Sequence, residues 1–583
     1  MIRVVDFRKA VIAGVAGAAA MEVVLRGFAI AGLPVFDLVQ ELGAVVFHHS
    51  HLLGWAVGLG AHAFVGVMWA LFYAYFFWSR LDLPPPLQGL AFAAVPAVLA
   101  LFIVHPQMTL MQMDQDMIRV SAPMLLGTIG VREVSGILLS HAVYGLVLGS
   151  LYIRPVGYKV GSRPSVARKR SIRPRRPVER RRDGGFMFAT GIECSYPTID
   201  NGRWRRDELE SCGHYKNWAE DFELAREIGV THIRYGPPLH LVFQGPGQYD
   251  WSIIDEPMAD LKECGPEPIV DLCHFGAPDW LGNFQNEDVA KALPEYAAAF
   301  AERYPWVRFY TPVNEMYVCA RKSALDGEWN EQRRDESAFV NAVFNLASAS
   351  VGMTDAILER RPDAIFVNSE SSEFSQPCCP DPDVKSAAEF ENERRFLPLD
   401  LIYAHEVSER MRGYLREHDV TDDAFDRFCN RKVPRRSILG VDYYEWTEHL
   451  IDREGRPRSL GELFGWYTIA MQYYDRYKLT MMHTETNQTD ASEGSRWLWR
   501  QWHNIQLARQ NGVPLVGFTW YSLTDQIDWN IGLREALGVV FPVGLFDLNR
   551  DPREVGLSYK HLIDMYCDQP DYRECKALKE LMR

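Results

Sequence analysis

Four apolar segments, at roughly 9–31, 52–78, 86–105 and 132–153, fill most of the first 155 residues of this 583-residue chain. Each approaches or exceeds the ~20 residues that a helix needs to cross a bilayer. A cleaved leader explains only the first, so the array reads as an all-α four-helix transmembrane domain over 1–155. Buried helices of a soluble domain are the competing reading. Runs such as GWAVGLGAHAFVGVMWALFYAYFFW leave too little polar face for that. Small residues in AGVAGAAA, and Gly145 and Gly149 four apart in the last segment, allow close helix contact.

Charge sets the expected orientation. Arg3, Arg8 and Lys9 precede the first segment, and Arg80 lies between the second and third. A dense basic stretch with Lys159, Arg168, Lys169, Arg170, Arg173, Arg175, Arg176, Arg180, Arg181 and Arg182 follows the fourth. The other two connections carry Asp37, Glu41, Asp114 and Asp116, with Arg119 and Arg132 as exceptions. The positive-inside rule then places both termini and the large C-terminal domain on the cytoplasmic side of a plasma-type membrane. All ten cysteines lie from Cys194 onward, with Cys378 and Cys379 adjacent and no CxxC pair, as expected of free thiols in a reducing compartment. The net charge of −14 argues against general nucleic-acid binding.

Residues 156–184 are rich in Arg, Pro, Ser and Gly without apolar periodicity, so this linker is expected to be disordered and to lie against anionic lipid. A nucleic-acid arm is the alternative. Ionisable groups also lie in or beside the apolar segments: Glu22, Arg26, His48, His49, His51, His62, His105 and His141. They admit a haem, metal or proton site, or pairing with headgroups and carboxylates.

From Gly185 the pattern changes to short apolar strands alternating with amphipathic helices. Strands are predicted over 186–192, 231–236, 268–273, 307–313, 364–369, 437–444, 479–485 and 513–522, with helices such as WAEDFELAREIG and LPEYAAAFAERY between them. Eight strands with helical crossovers predict an α/β fold, a (β/α)₈ TIM barrel over 185–583, whose chemistry gathers at the strand C-terminal ends. Polar residues recur there: Glu193, Arg234, His274, Asn314, Glu315, Asp442, Tyr443, Tyr444 and Glu485. Two strand-end glutamates, Glu315 in VRFYTPVNEMYV and Glu485 in LTMMHTETNQ, form the acid pair that glycoside chemistry requires.

These motifs resemble glycoside hydrolase family 1, the β-glucosidase-like members of the clan A barrels. FMFATGIECSY is similar to the family's first strand, HYKNWAEDFELAREIGVTHIRYG to its second helix and strand, and DLCHFGAPDWL to its third-strand motif. TPVNEM matches the T-x-NEP motif with Met316 for proline, GVDYY stands for Asn-Tyr-Tyr, HTETN for the nucleophile motif, and WYSLTDQIDW for W-S-L-x-D-N-x-E-W. The departures fall in sugar recognition. Glu193 stands near a missing first-strand glutamine, Asp442 replaces an asparagine, Asp528 a glutamate and Tyr521 a tryptophan.

The resemblance implies a retaining β-glycosidase, β-glucosidase- or β-galactosidase-like, with Glu485 as nucleophile and Glu315 as acid and base. It implies substrate contacts from Glu193, Arg234, His274, Asn314, Tyr443, Tyr444, Trp520, Asp528 and Trp529, with no cofactor or metal. Arg234 would hold Glu485 ionised, with a hydrogen bond from Tyr443 or Tyr444. His274 as a core histidine, and Trp520 and Trp529 as barrel packing, are the plainer alternatives. The expected partners are a carbohydrate or glycolipid substrate and the lipid bilayer. A transglycosylase acting on a lipid-linked sugar, and a non-catalytic carbohydrate sensor, are the competing functions.

Overall fold

The long apolar segments carry no internal breaker but Pro96, which the third helix holds within it, and their chain-internal hydrogen bonds need no water. In the computed structural model they form α1 (Phe7–Ile30), α2 (His51–Phe72), α3 (Pro85–Leu99) and α4 (Val131–Leu151), with π-type turns extending α2 through Tyr73–Phe77 and α3 through Ala100–Val104. Among the described residues, four helices are long and apolar enough to cross a membrane. The structure describes residues 5, 7–32, 39, 51–78, 85–104, 131–152, 158–161, 184–263 and 265–583. Most of the 156–184 linker, the charged connections with Arg80, and His48, His49 and His105 lie outside the described residues.

The chain divides into two compact units, Met1–Pro155 with Leu537–Val539, and a larger one of Val156–Ala536 with Val540–Arg583. In the helical unit, glycines set how near the backbones come. A Cβ on Gly89 of α3 would stand 2.0 Å from the Gly145 carbonyl oxygen of α4, and one on Gly149 would stand 2.2 Å from the Pro85 oxygen. Gly14 of α1 is likewise closed by Gly66 and Val67 of α2. Tyr144 spans α4 to α2, its hydroxyl donating to the Gly66 carbonyl at 2.6 Å. Among the described residues Glu22 and His62 form an enclosed polar pair, His62 Nδ1 lying 2.8 Å from Glu22 Oε1, with the more exposed Arg26 3.6 Å from the same carboxylate. Large apolar side chains point outward instead, Ile12, Val23, Phe64, Phe76 and Phe102 being 56–72% exposed. That is the reverse of a helix bundle built for water.

In the larger unit, β1 (Met187–Ile192), β2 (His232–Tyr235), β3 (Glu267–Asp271), β4 (Phe309–Thr311), β5 (Ile365–Ser371), β6 (Ser437–Asp442), β7 (Thr480–His483) and β8 (Leu515–Trp520) close a barrel in chain order. Every neighbouring pair is parallel, and β8 returns to β1 with Gly517 opposite Met187 and Trp520 opposite Thr190. All eight overlap the predicted segments, with β3 starting one residue early at Glu267 and β5 running two residues further, to Ser371. The fourth is the shortest because Pro312 has no N–H to offer a ladder. Both predicted helices form, all of WAEDFELAREIG but its last residue within α5 (His214–Ile228) and all of LPEYAAAFAERY but its last within α6 (Val289–Arg303). α5 ends at Gly229, whose φ of 91° only glycine adopts readily. β1 is wholly buried because helices cover the barrel's outer face, which is why its sequence lacks strict alternation.

Gly145→Leu should force α3 and α4 apart and lower the thermal stability of the helical unit by about 1–3 kcal/mol in detergent. Gly60→Ala, where a Cβ meets nothing within 4 Å, should leave it unchanged.

Candidate active site

The parallel barrel brings eight strand ends to one mouth, and the predicted residues are carried there by backbone contacts between neighbouring strand ends. The Asn314 N–H donates to the Cys273 carbonyl at 2.9 Å and the Glu315 N–H to the Ser369 carbonyl at 3.0 Å. The Tyr443 N–H donates to the Glu485 carbonyl at 2.9 Å, and the Tyr521 N–H to that of Thr486 at 3.0 Å. Glu315 leaves β4 with φ 41° and ψ 60°, a left-handed conformation unusual for a residue with a side chain.

Arg234 lies at the centre. Its Nη1 donates to Glu485 Oε1 at 2.6 Å and to the Thr484 carbonyl at 3.1 Å, while Nη2 donates to Asn314 Oδ1 at 2.6 Å. Glu193 Oε1 stands 3.1 Å from Nη1, and Asp271 Oδ2 3.7 Å from Nη2. Burial acts to discharge the guanidinium, but Glu193, Glu485, Asp442 and Asp271 together hold its pKa well above the ordinary value. Glu485 takes its second bond from the Tyr444 hydroxyl, 2.7 Å from Oε2. Both oxygens of this carboxylate are therefore aimed by donors.

Glu315 has a different environment. Burial first, then the charges of Glu485, Asp442, Glu370 and Glu373, push its carboxyl well above the usual range. One oxygen from each of Glu315, Asp442 and Glu485 lie within 4.8 Å of one another, as do ligand atoms of Glu193, His274 and Glu485. Both groups share Glu485, which Arg234 and Tyr444 already hold. Asp442 accepts from the Ser369 hydroxyl on both oxygens, at 2.9 and 2.7 Å. Burial and the nearby Glu485 charge push Asp442 upward as well. Two carboxyls of unequal character, one bound by donors and one pushed toward its neutral form, can serve as nucleophile and acid.

His274 is fixed through Nδ1, 2.5 Å from Asp271 Oδ2. Its Nε2 faces Asn314 Nδ2 at 3.4 Å and Glu193 Oε2 at 3.7 Å. The sequence reading missed Asp271 as its orienting partner, although an acid three residues before a strand-end histidine was visible in DLCH. Ser369 and Glu370 were also missed, because nothing in AIFVNSESS distinguishes them from strand filler.

Two expectations need correction. Tyr443 does not face the cluster: its hydroxyl donates to Glu448 Oε1 at 2.7 Å and its ring stacks on Trp497 at 5.9 Å, so the hydrogen bond to Glu485 is Tyr444's alone. Trp520 is core packing, its indole N–H donating to the Val543 carbonyl at 2.9 Å. The ring beside the acids is that of Tyr521. A Cβ on Gly191 would lie 2.7 Å from this ring and 3.2 Å from Glu193 Oε1. Adjacent strand residues point to opposite faces, so a slip of one position decides which aromatic faces inward. Asp528 is fully buried, 2.9 Å from Arg206 Nη2. Trp529 sits 5.9 Å from Phe275, and its buried indole N–H has no acceptor among the described residues.

Residues 198–447 match the family described as Glycosyl hydrolase family 1. The chain is 23% identical over 394 residues to Beta-glucosidase A of Thermotoga maritima, covering 60% of this chain and 86% of that one. It is equally similar to the 1,4-beta-D-glucan glucohydrolase of Thermotoga neapolitana, covering 60% and 87%. Among solved structures, the beta-glucosidase from Thermotoga maritima in complex with deoxynojirimycin superposes with a TM-score of 0.55 at 20% identity, over 66% of this chain and 99% of that one.

Replacing Arg234 with methionine leaves Glu193, Asp271 and Glu485 without their shared counter-charge and should destabilise the barrel by about 3 kcal/mol at pH 8. Burial already raises the Glu193 carboxyl, which therefore binds a proton the unfolded chain does not, and its contribution to stability falls as pH rises above the unfolded carboxyl range. The loss in Arg234→Met should therefore shrink at pH 5. Denaturant melts at the two pH values measure it.

Proposed function

The chain carries a glycosyl hydrolase family 1 domain and is a glycosidase, and from that premise we propose that it is a membrane-anchored retaining β-glycosidase acting by double displacement. The observation that carries this reading is the proximity of the two acids, with an oxygen of Glu315 within 4.8 Å of one of Glu485. A retaining pair stands ~5–5.5 Å apart, whereas an inverting pair needs ~6.5–9.5 Å to admit a water.

In this reading the Glu485 carboxylate, paired with Arg234 and aimed by Tyr444, attacks the anomeric carbon as the bond to the leaving oxygen breaks. Glu315 donates its proton to that oxygen. It then takes a proton from the water that cleaves the glycosyl-enzyme ester and frees Glu485. Burial and the Glu485 charge keep Glu315 protonated in the free enzyme, and formation of the ester removes that charge and lets Glu315 act as base. Asn314, fixed by Arg234, is placed to hold the sugar's 2-hydroxyl. His274, Glu193 and Trp529 offer polar atoms to the remaining hydroxyls, and Asp528 acts through or beside Arg206. The relatives' printed names make a β-glucoside the first substrate class to test, with β-galactosides next.

The proposed organisation is an anchor over 1–155, a linker over 156–184 and a catalytic domain over 185–583. Outward-facing apolar side chains on the helices support the anchor, and the lysine and arginine distribution supports a cytoplasmic barrel. A substrate presented at the inner leaflet, such as a glycolipid, follows from that placement. With the chain a glycosidase, the non-catalytic sensor reading falls. Transfer to an acceptor other than water uses the same first step and is separated from hydrolysis by product analysis.

The test uses the full-length protein in bilayer discs with an activated 2-fluoro aryl β-glucoside and intact-mass detection. One glycosyl adduct should form on the wild type and none on Glu485→Gln; an adduct that persists in the variant sinks the assignment. Glu315→Ala should still be labelled by a dinitrophenyl donor, which needs no proton, but turn over about 10²–10⁴-fold more slowly. Because Glu315 must be protonated to start the reaction, kcat/KM should fall at the alkaline side through its raised pKa. A reporter fused after Arg583 should read as cytoplasmic, and an external signal would reverse the orientation.

A further inference from the structure

The mouth of the barrel carries more acid than its cations balance. Arg234 is bound to Glu485, and His274 is hydrogen-bonded to Asp271. Besides the acid Glu315, Glu193 and Asp442 are left without a cation of their own, both buried. They differ in one respect. Asp442 accepts on both oxygens from Ser369, whereas among the described residues neither oxygen of Glu193 accepts a hydrogen bond, and its side chain has no solvent exposure. Oε1 stands 3.1 Å from Arg234 Nη1, but that nitrogen already donates to Glu485 and to the Thr484 carbonyl. Oε2 has only His274 Nε2 at 3.7 Å. The groups facing Glu193 from the other strand ends are Arg234, Asp271, Asp442 and Glu485, with the Tyr521 ring beside Gly191, and the Tyr521 hydroxyl is occupied by Gln526 at 3.2 Å.

A buried carboxylate without donors is strongly unfavourable, and a sugar hydroxyl supplies one donor without altering the charge. A primary ammonium supplies three donors and the missing positive charge. Taking the retaining reading of this site as its basis, we infer that Glu193 selects a cationic glycone: the preferred donors are β-glycosides of an amino sugar whose free ammonium binds the Glu193 carboxylate. Without substrate, burial favours the protonated Glu193 carboxyl despite the opposing Arg234 charge. Entry of the ammonium sugar then releases that proton to solvent. The charge inside the site is otherwise unchanged, so Glu485 remains the only anion placed to attack carbon.

The test compares, on the full-length protein, aryl β-glucosides with a matched set in which the 2-, 3-, 4- or 6-hydroxyl is replaced by an amine, each also in N-acetylated form. One amino donor should exceed the parent glucoside in kcat/KM by about 10-fold or more, the gain expected when a charge-assisted hydrogen bond replaces a neutral one. N-acetylation should abolish that advantage in the wild type, and Glu193→Gln should bring the ratio of amino to parent donor down to one or below. The acetyl comparison needs no variant, so a poorly folded Glu193→Gln leaves the question decided. If neutral donors label Glu485 and outperform every amino donor, or if acetylation leaves the advantage intact, the inference is overturned while the retaining reading stands. If no donor of either kind labels Glu485, both fall together.

Discussion

A single buried guanidinium organises the mouth of the barrel. Arg234 donates to Glu485, Asn314 and the Thr484 carbonyl, and its charge is the principal fixed cation among Glu193, Asp271, Asp442 and Glu485. Without it those acids would repel one another in a medium that screens them poorly. With it, one carboxylate is bound and immobile while Glu315, a few ångströms away, is driven toward its neutral form. The planar fork matters as much as the charge, since it fixes the glutamate and the asparagine from one rigid group.

The barrel delivers this arrangement because strand ends on one face are close in space however far apart they are in sequence. Arg234 and Glu485 are separated by most of the domain, yet β2 and β7 place them within hydrogen-bonding distance. The flanking backbone bonds from Asn314, Glu315, Tyr443 and Tyr521 to neighbouring strand ends then remove the remaining freedom. A constellation held by backbone needs few additional side chains to stay preorganised.

The eight strands and four long helices were legible from periodicity and segment length because burial imposes both patterns along many residues. The glutamate pair, Arg234, His274 and Asn314 were legible because each ends an apolar run. Other details were not. Tyr443 and Tyr444 are adjacent in sequence, and so are Trp520 and Tyr521, so which of each pair faces the mouth depends on where the strand stops and the backbone turns. Glu448 and Val543, the partners that draw Tyr443 and Trp520 elsewhere, lie on excursions whose path no local pattern predicts. The glycine contacts of the helices were anticipated more easily, because a pair four residues apart lies on one helix face wherever the helix goes.

The left-handed backbone at Glu315 has a consequence of its own. A residue with a Cβ is at a disadvantage at φ 41°, and glycine or asparagine would adopt that turn more readily. Folding alone therefore gives no reason for glutamate at this position. In a descendant that had lost the need for a proton donor, selection for stability would work against this residue from the outset, and it would be among the first of the strand-end groups to disappear.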